Sequence, residues 1–193
     1  MINIDTYCIN LEKRPLRWDM FSSQPIPFKV NRFNAIDDDS ASKGCVLSHL
    51  RVMEKCKDEI LIFEDDFMVL GDWEKAYLSY NELPPYWDVL YLGANLTQRL
   101  ERYSDHLFKL KGGWGSHGII YRREAIDKIL SDGVNVILQH KNMDTYLVRW
   151  IQSEFNCFIS YPLMGTQRPG YSDIIKEYRG YDDLIPNYEK YTI

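Results

Sequence analysis

Three apolar residues run directly into three carboxylates in Leu61-Ile62-Phe63-Glu64-Asp65-Asp66. Like charges gathered at one point are unfavourable unless a cation neutralises them, and a divalent ion does so. Oxygen ligands suit Mg²⁺ or Mn²⁺, ions that take one or two carboxylates and leave the rest of the shell to substrate phosphates. Such an ion acts as a Lewis acid on a diphosphate leaving group. While the backbone stays extended, Glu64 and Asp66 face one way and could share the ion; Asp65 faces the other, towards a ribose or a supporting residue. The plain alternative is a set of solvated acids at a strand end, and spacing alone does not choose between them.

Other residues carry weaker signals. Glu12-Lys13-Arg14-Pro15-Leu16-Arg17-Trp18 holds three cations beside a possible helix N-terminus, where phosphate is attracted; an exposed helical face explains Lys13 better than Arg14 or Arg17. Cys45 and His49 stand at i, i+4 with Cys56 further on, but no fourth zinc ligand follows at an accepted spacing, so these read as a buried helix face with a hydrogen-bonded His. Gly112-Gly113-Trp114-Gly115-Ser116-His117-Gly118 would let backbone approach a ligand with a Trp and a His beside it, or is a plain hairpin. Asp144 opens a helix, where a carboxylate commonly caps free N–H groups; as a functional group it would be a general base for a hydroxyl.

The elements that must position these residues alternate. Residues 3–10 read as a strand, 12–21 as a helix, 28–33 as a strand, 44–57 as a helix and 59–63 as a central buried strand. A helix to about residue 80 follows Gly71-Asp72, then strands at 87–92, 106–110 and 116–121. Helices over 123–130 and 142–154 come next, the latter with Met143, Leu147, Trp150 and Ile151 as its apolar stripe. A strand at 155–161 closes the pattern, and the remaining tail, rich in Tyr, Gly, Pro and Asp, is expected to wrap a surface or close a site. This order argues for an α/β sandwich with a mixed, mainly parallel sheet, whose ligands bind at the carboxyl ends of the strands. That rule points at Asn10, Glu64 to Asp66, and Gly93.

Composition narrows the partners. The 193 residues fit one domain and carry a net charge of −5, which argues against a nucleic-acid backbone as partner. Hydrophobic content of 45% and charged content of 26% without repeats are those of a globular chain. No stretch approaches a membrane span and no signal-peptide pattern opens the chain, so it is expected to stay in the cytoplasm. Cys8, Cys45, Cys56 and Cys157 lie far apart, as reduced buried thiols do.

In order along the chain, the sequence resembles glycosyltransferase family 25, the group of bacterial lipooligosaccharide and collagen galactosyltransferases. The likeness rests on Tyr7-Cys8-Ile9-Asn10-Leu11-Glu12-Lys13-Arg14, Asn34-Ala35-Ile36-Asp37, Gly44-Cys45-Val46-Leu47-Ser48-His49 and Ile62-Phe63-Glu64-Asp65-Asp66. It continues through Trp87-Asp88-Val89-Leu90-Tyr91-Leu92-Gly93, Ser116-His117-Gly118-Ile119-Ile120-Tyr121, Asn142-Met143-Asp144 and, more loosely, Tyr171-Ser172-Asp173-Ile174. The chain departs from the family in its shortness and in Gly118, where an Ala is usual.

The resemblance implies a GT-A type Rossmann-like sandwich and a metal-dependent hexosyltransferase that uses a nucleotide-sugar donor. The donor is usually a UDP-sugar, here a UDP-hexose such as galactose or glucose. Transfer would go with inversion to a glycan, lipid-linked or protein-glycan acceptor. It further implies Mn²⁺ or Mg²⁺ at Glu64 and Asp66, with His117 a third ligand or a sugar contact. Nucleotide would meet Asn10, Leu11, Arg14, Asp65 and His49, and Asp144 would be the base. Residues 1–93 would form the nucleotide and metal half and 94–193 the acceptor side. Two other readings stay open: a GT-A-like module that has lost catalysis, and a sugar nucleotidyltransferase, which would usually show a Gly-rich basic loop that 10–14 lacks.

Overall fold

The computed structural model describes residues 4–181 and 184–192. Its first half is wound from β1 (Asp5–Asn10), α1 (Pro15–Ser22), β2 (Asn31–Asn34), α2 (Ala41–Met53), β3 (Glu59–Glu64), β4 (Phe67–Val69), α3 (Trp73–Asn81) and β5 (Val89–Tyr91). Short strands β6 (Asn95–Leu96), β7 (Glu101–Arg102), β8 (Leu107–Lys109) and β9 (Gly113–Trp114) lead to β10 (Gly118–Arg122). Then come α4 (Arg123–Gln139), α5 (Met143–Tyr146), a π-helical turn (Leu147–Ile151), α6 (Gln152–Glu154) and β11 (Cys157–Ser160). The tail folds as β12 (Gly165–Gln167), β13 (Gly170–Ser172), β14 (Glu177–Arg179) and α7 (Leu184–Thr192).

One eight-stranded sheet runs in the order β2-β1-β3-β10-β5-β11-β8-β7. Six of its strands share one direction while β10 and β8 oppose them, which makes it a mixed, mainly parallel, Rossmann-like sheet with helices on both faces. Parallel pairing demands crossover helices, and α1 and α2 supply them around β1.

β3 shows how sequence sets the layers. Ile60, Leu61, Ile62 and Phe63 are all 0% exposed, because alternate side chains enter cores on opposite faces. Ile60 and Ile62 join Ile9, Val46, Met53 and Ile126 beneath α2 and α4. Leu61 and Phe63 join Cys8, Phe21, Ala76 and Trp87 beneath α1 and α3. The register Cys8↔Phe63 and Ile9↔Glu64 brings Asn10 level with Asp65, at the carboxyl ends of adjacent strands.

Several boundaries differ from the periodicity. The first helix begins at Pro15, because Asn10 Nδ2 donates to Arg14 O and Arg14 N donates to Leu11 O, which holds 11–14 in a turn. The second strand starts at Asn31, since Pro25 and Pro27 keep the preceding stretch out of the ladder. The second helix spans Ala41–Met53, capped by the Ser40 side chain. The helix expected to stop at residue 130 resumes beyond Gly133, whose φ of +64° breaks the spiral without ending the element. In the 142–154 helix Met143, Leu147 and Ile151 are buried, but Trp150 is 40% exposed and lies against His140, because the π turn rotates it off the stripe. Asn3, where the first strand was expected to start, lies outside the described residues. Among the described residues no helix is long and apolar enough to cross a membrane.

Candidate functional site

At the carboxyl ends of β1, β2 and β3 opens a cavity of about 600 Å³. Its walls come from Leu11, Arg14 and Arg17, from 35–39 after β2, from Cys45, Ser48 and His49 on α2, and from Glu64, Asp65 and Asp66. Trp114, Ser116, Asn142, Asp144 and the tail residues Gln167, Tyr171, Asp173, Arg179 and Tyr181 complete it. The tail thus closes the site: β12 pairs with β4, and the β13–β14 hairpin carries Tyr171 and Asp173 onto α1.

Each carboxylate has its own setting. Chain reversal at Asp65 and Asp66 ends the strict alternation expected of the strand. Asp65 is buried at 8% exposure and is held by Asn10 Nδ2 at 2.6 Å and by Arg17 at 3.0 Å, so a supporting residue, not open solvent, meets it. Asn10 is oriented in turn by Arg32, which donates two bonds to its Oδ1 at 3.0 and 2.5 Å. Burial pushes the Asp65 carboxyl up despite these donors. Asn10 stands outside the cavity lining and is 1% exposed, so in this structure its part is to hold Asp65. Asn10→Ala strips a partly charged hydrogen bond from a buried acid and is expected to cost about 2 kcal/mol, read as a lower urea midpoint.

Glu64 is drawn the other way. Burial disfavours its charge, but hydrogen bonds from His49 Nε2 (3.1 Å) and Ser116 Oγ (2.5 Å) hold its carboxyl below the usual value. Asp66 has no such support: Gln167 reaches one oxygen at 3.4 Å, and Oδ1 is buried without a partner among the described residues. Burial, with Glu64 and Asp65 adding charge, drives the Asp66 carboxyl well above the ordinary range.

Asp144 sits at the start of α5, where Asn142 caps the helix by accepting from Thr145 N at 2.9 Å. The cap is Asn142, which frees Asp144 to face the cavity. Ser116 Oγ lies 2.7 Å from Asp144 Oδ1 as well as 2.5 Å from Glu64. A hydroxyl has one proton and cannot donate to both carboxylates, so when both contacts are hydrogen bonds one acid is protonated. Asp144 fits that part, because burial and the Glu64 charge raise it to about 6.

The raised acid has a stability consequence. Between its ordinary value of 3.8 and about 6 the folded chain holds a proton that the unfolded chain has lost, so stability falls as pH rises through that window. Asp144→Asn removes this loss. The stability difference between variant and parent, measured by urea unfolding in EDTA, is expected to grow by about 2 kcal/mol from pH 4.5 to 7.

Of the other expected residues, Leu11, Arg14 and His49 line the cavity. Arg14 is paired with Asp173 at 2.6 Å, so an arriving anion competes with the tail for it. His117 is wholly buried, packs on Phe67 and does not line the cavity; neither ring nitrogen has a partner among the described residues, and burial lowers it to about 4. Gly115, at φ +110°, leaves room for that ring: a Cβ there would stand 2.6 Å from His117 Nδ1. Gly93, expected at the ligand edge, is instead covered by β12, where a Cβ would meet Gly165 O at 2.2 Å.

Sequence reasoning gave Ser116 no role, and it left Arg17 and Gln167 without one in the carboxylate network. It also missed that Glu64 joins Cys45 and His49, the three offering ligand atoms within 4.8 Å of one another. Only the bridging of Ser116 to two acids from distant segments had no signal at all, since 52 and 28 positions separate it from them.

No protein-family model matches this sequence, and no curated protein matches it significantly. Likenesses to solved structures are weak. Mannose-1-phosphate geranyltransferase from Thermus thermophilus is 9% identical at a TM-score of 0.42 over 80% of this chain, which spans 58% of that one. A197 from STIV is 11% identical at 0.41, with 90% and 98% covered, and HddC from Yersinia pseudotuberculosis is 10% identical at 0.42, with 96% and 77% covered.

Proposed function

We propose that this protein is a metal-dependent glycosyltransferase that moves a hexose from a UDP-sugar to a hydroxyl acceptor with inversion, as its resemblance to glycosyltransferase family 25 implies. The observation that carries the reading is the acid cluster in the cavity. Three consecutive carboxylates line it, and a buried Asp66 oxygen has no partner among the described residues. That donor set fits a hard divalent ion, which relieves the repulsion and supplies the missing contact. Glu64 and Asp66 would hold Mn²⁺ or Mg²⁺; when bound, the ion offsets the charge of the departing diphosphate.

The chain's own residues supply the rest. Arg14 and Arg17 lie on the donor side and add positive charge for phosphate oxygens. Leu11, Asn34, Ala35 and Asp37 shape the adjoining hollow, of a size for a base and ribose. Asp65, fixed by Asn10 and Arg17, stands where a sugar hydroxyl can donate to it. Asp144 lines the cavity and, ionised above about 6, takes the proton from the acceptor hydroxyl as its oxygen attacks the anomeric carbon; Ser116 keeps its carboxylate oriented. Tyr181 and Trp114 offer rings against the sugars. His117 belongs to the packing behind β12 and not to the ion.

Incubation with UDP-hexoses and Mn²⁺, followed by chromatography, tests the reading: slow release of free hexose and UDP is expected from one donor and not from the others. Intact donors throughout, under conditions where UDP binds, would favour a binding module instead.

A further inference from the structure

We infer that Cys45, His49 and Glu64 form a second cation site, one for a thiophilic ion of the zinc class. Cys45 and His49 are one turn apart on α2, so their side chains leave the same face. β3 brings Glu64 against them, with His49 Nε2 3.1 Å from its carboxylate. All three line the cavity, and their ligand atoms lie within 4.8 Å of one another. Zinc bond lengths place the ligands of a tetrahedral ion about 3.3–3.6 Å apart, a spacing inside the 4.8 Å that bounds the cluster.

The chemistry differs from that of the neighbouring acids. A thiol and an imidazole are poor ligands for Mg²⁺ and good ones for zinc. His49 is wholly buried with Nε2 towards Glu64, so zinc would take the place of that hydrogen bond. The thiol of Cys45 is held protonated by burial and by the charges of Glu64, Asp144 and Asp66. Zinc would replace that proton, forming the Zn–S bond and releasing one H⁺ to the buffer. Three protein ligands leave a fourth position facing the cavity, as in an open zinc site. Glu64 serves one ion at a time, so on the donor-site reading zinc here opposes Mn²⁺-dependent UDP binding.

The test needs no nucleotide. The full chain, stripped of metal, is titrated with Zn²⁺ by calorimetry in buffers of different ionisation enthalpy, and with Co²⁺ by absorption. One zinc per chain, one proton released and a thiolate-to-cobalt charge-transfer band are expected. Cys45→Ser should abolish the band and weaken zinc by more than the roughly 10–100-fold that loss of an outer-shell partner costs. Cys56→Ser, at a buried thiol outside the cavity, should change neither. Zinc affinity unchanged in Cys45→Ser, or a cobalt spectrum without the thiolate band, overturns the site. Because neither readout involves UDP, that failure would leave the donor reading standing, and failure of UDP to bind would leave the zinc result standing.

Discussion

Asp66→Ala is expected to lower Mn²⁺-dependent UDP affinity at least 100-fold, about 2.8 kcal/mol, without lowering the thermal midpoint of the metal-free protein. Both halves follow from one arrangement. In the absence of an ion Asp66 is a liability: burial and two neighbouring acids disfavour its charge, and Gln167 is its one side-chain donor among the described residues, at 3.4 Å. Removing it relieves repulsion, so the fold loses nothing. On the proposed reading, with an ion and a diphosphate present the same carboxylate would tie the cation to the chain. Binding by calorimetry and unfolding by scanning fluorimetry separate the two effects. A variant that loses binding and melts early would mean that Asp66 is structural.

Asp144→Asn is expected to leave UDP affinity within a few-fold of the parent and to lower turnover roughly 10²–10⁴-fold, the range for loss of a positioned general base. An amide preserves the shape of the carboxyl and can still bond Ser116 Oγ, but cannot accept the acceptor's proton. The split between intact binding and lost kcat distinguishes a base from a metal ligand. Single-turnover assays with labelled donor measure it. If Asp144→Asn transfers sugar at the parental rate, the proton goes elsewhere.

Much of this site was written locally. The run from Ile60 to Phe63 into Glu64-Asp65-Asp66 states a buried strand that ends in acids, because uninterrupted apolar residues must be covered on both faces. The expectation that the tail would close a site also holds, since β13 and β14 line the cavity. Local pattern fails where a partner comes from far away. Asn10 looked like a ligand contact, yet its register beside Asp65 makes it a brace. His117 stood in a glycine-rich loop that suggested exposure, but β12 returns from the tail to cover Gly93 and bury the ring. Cys45 and His49 lacked a further ligand within their own stretch, and the packing of α2 on β3 supplies Glu64 from 15 positions beyond His49. The Ser116 bridge depends on three separate segments, so no window of sequence could show it.

Calorimetric titration of UDP into the purified protein, in Mn²⁺ and again in EDTA, tests the central claim most directly. One UDP per chain in Mn²⁺ and none detectable in EDTA is the expected result; binding of equal strength in both, or in neither, would contradict it.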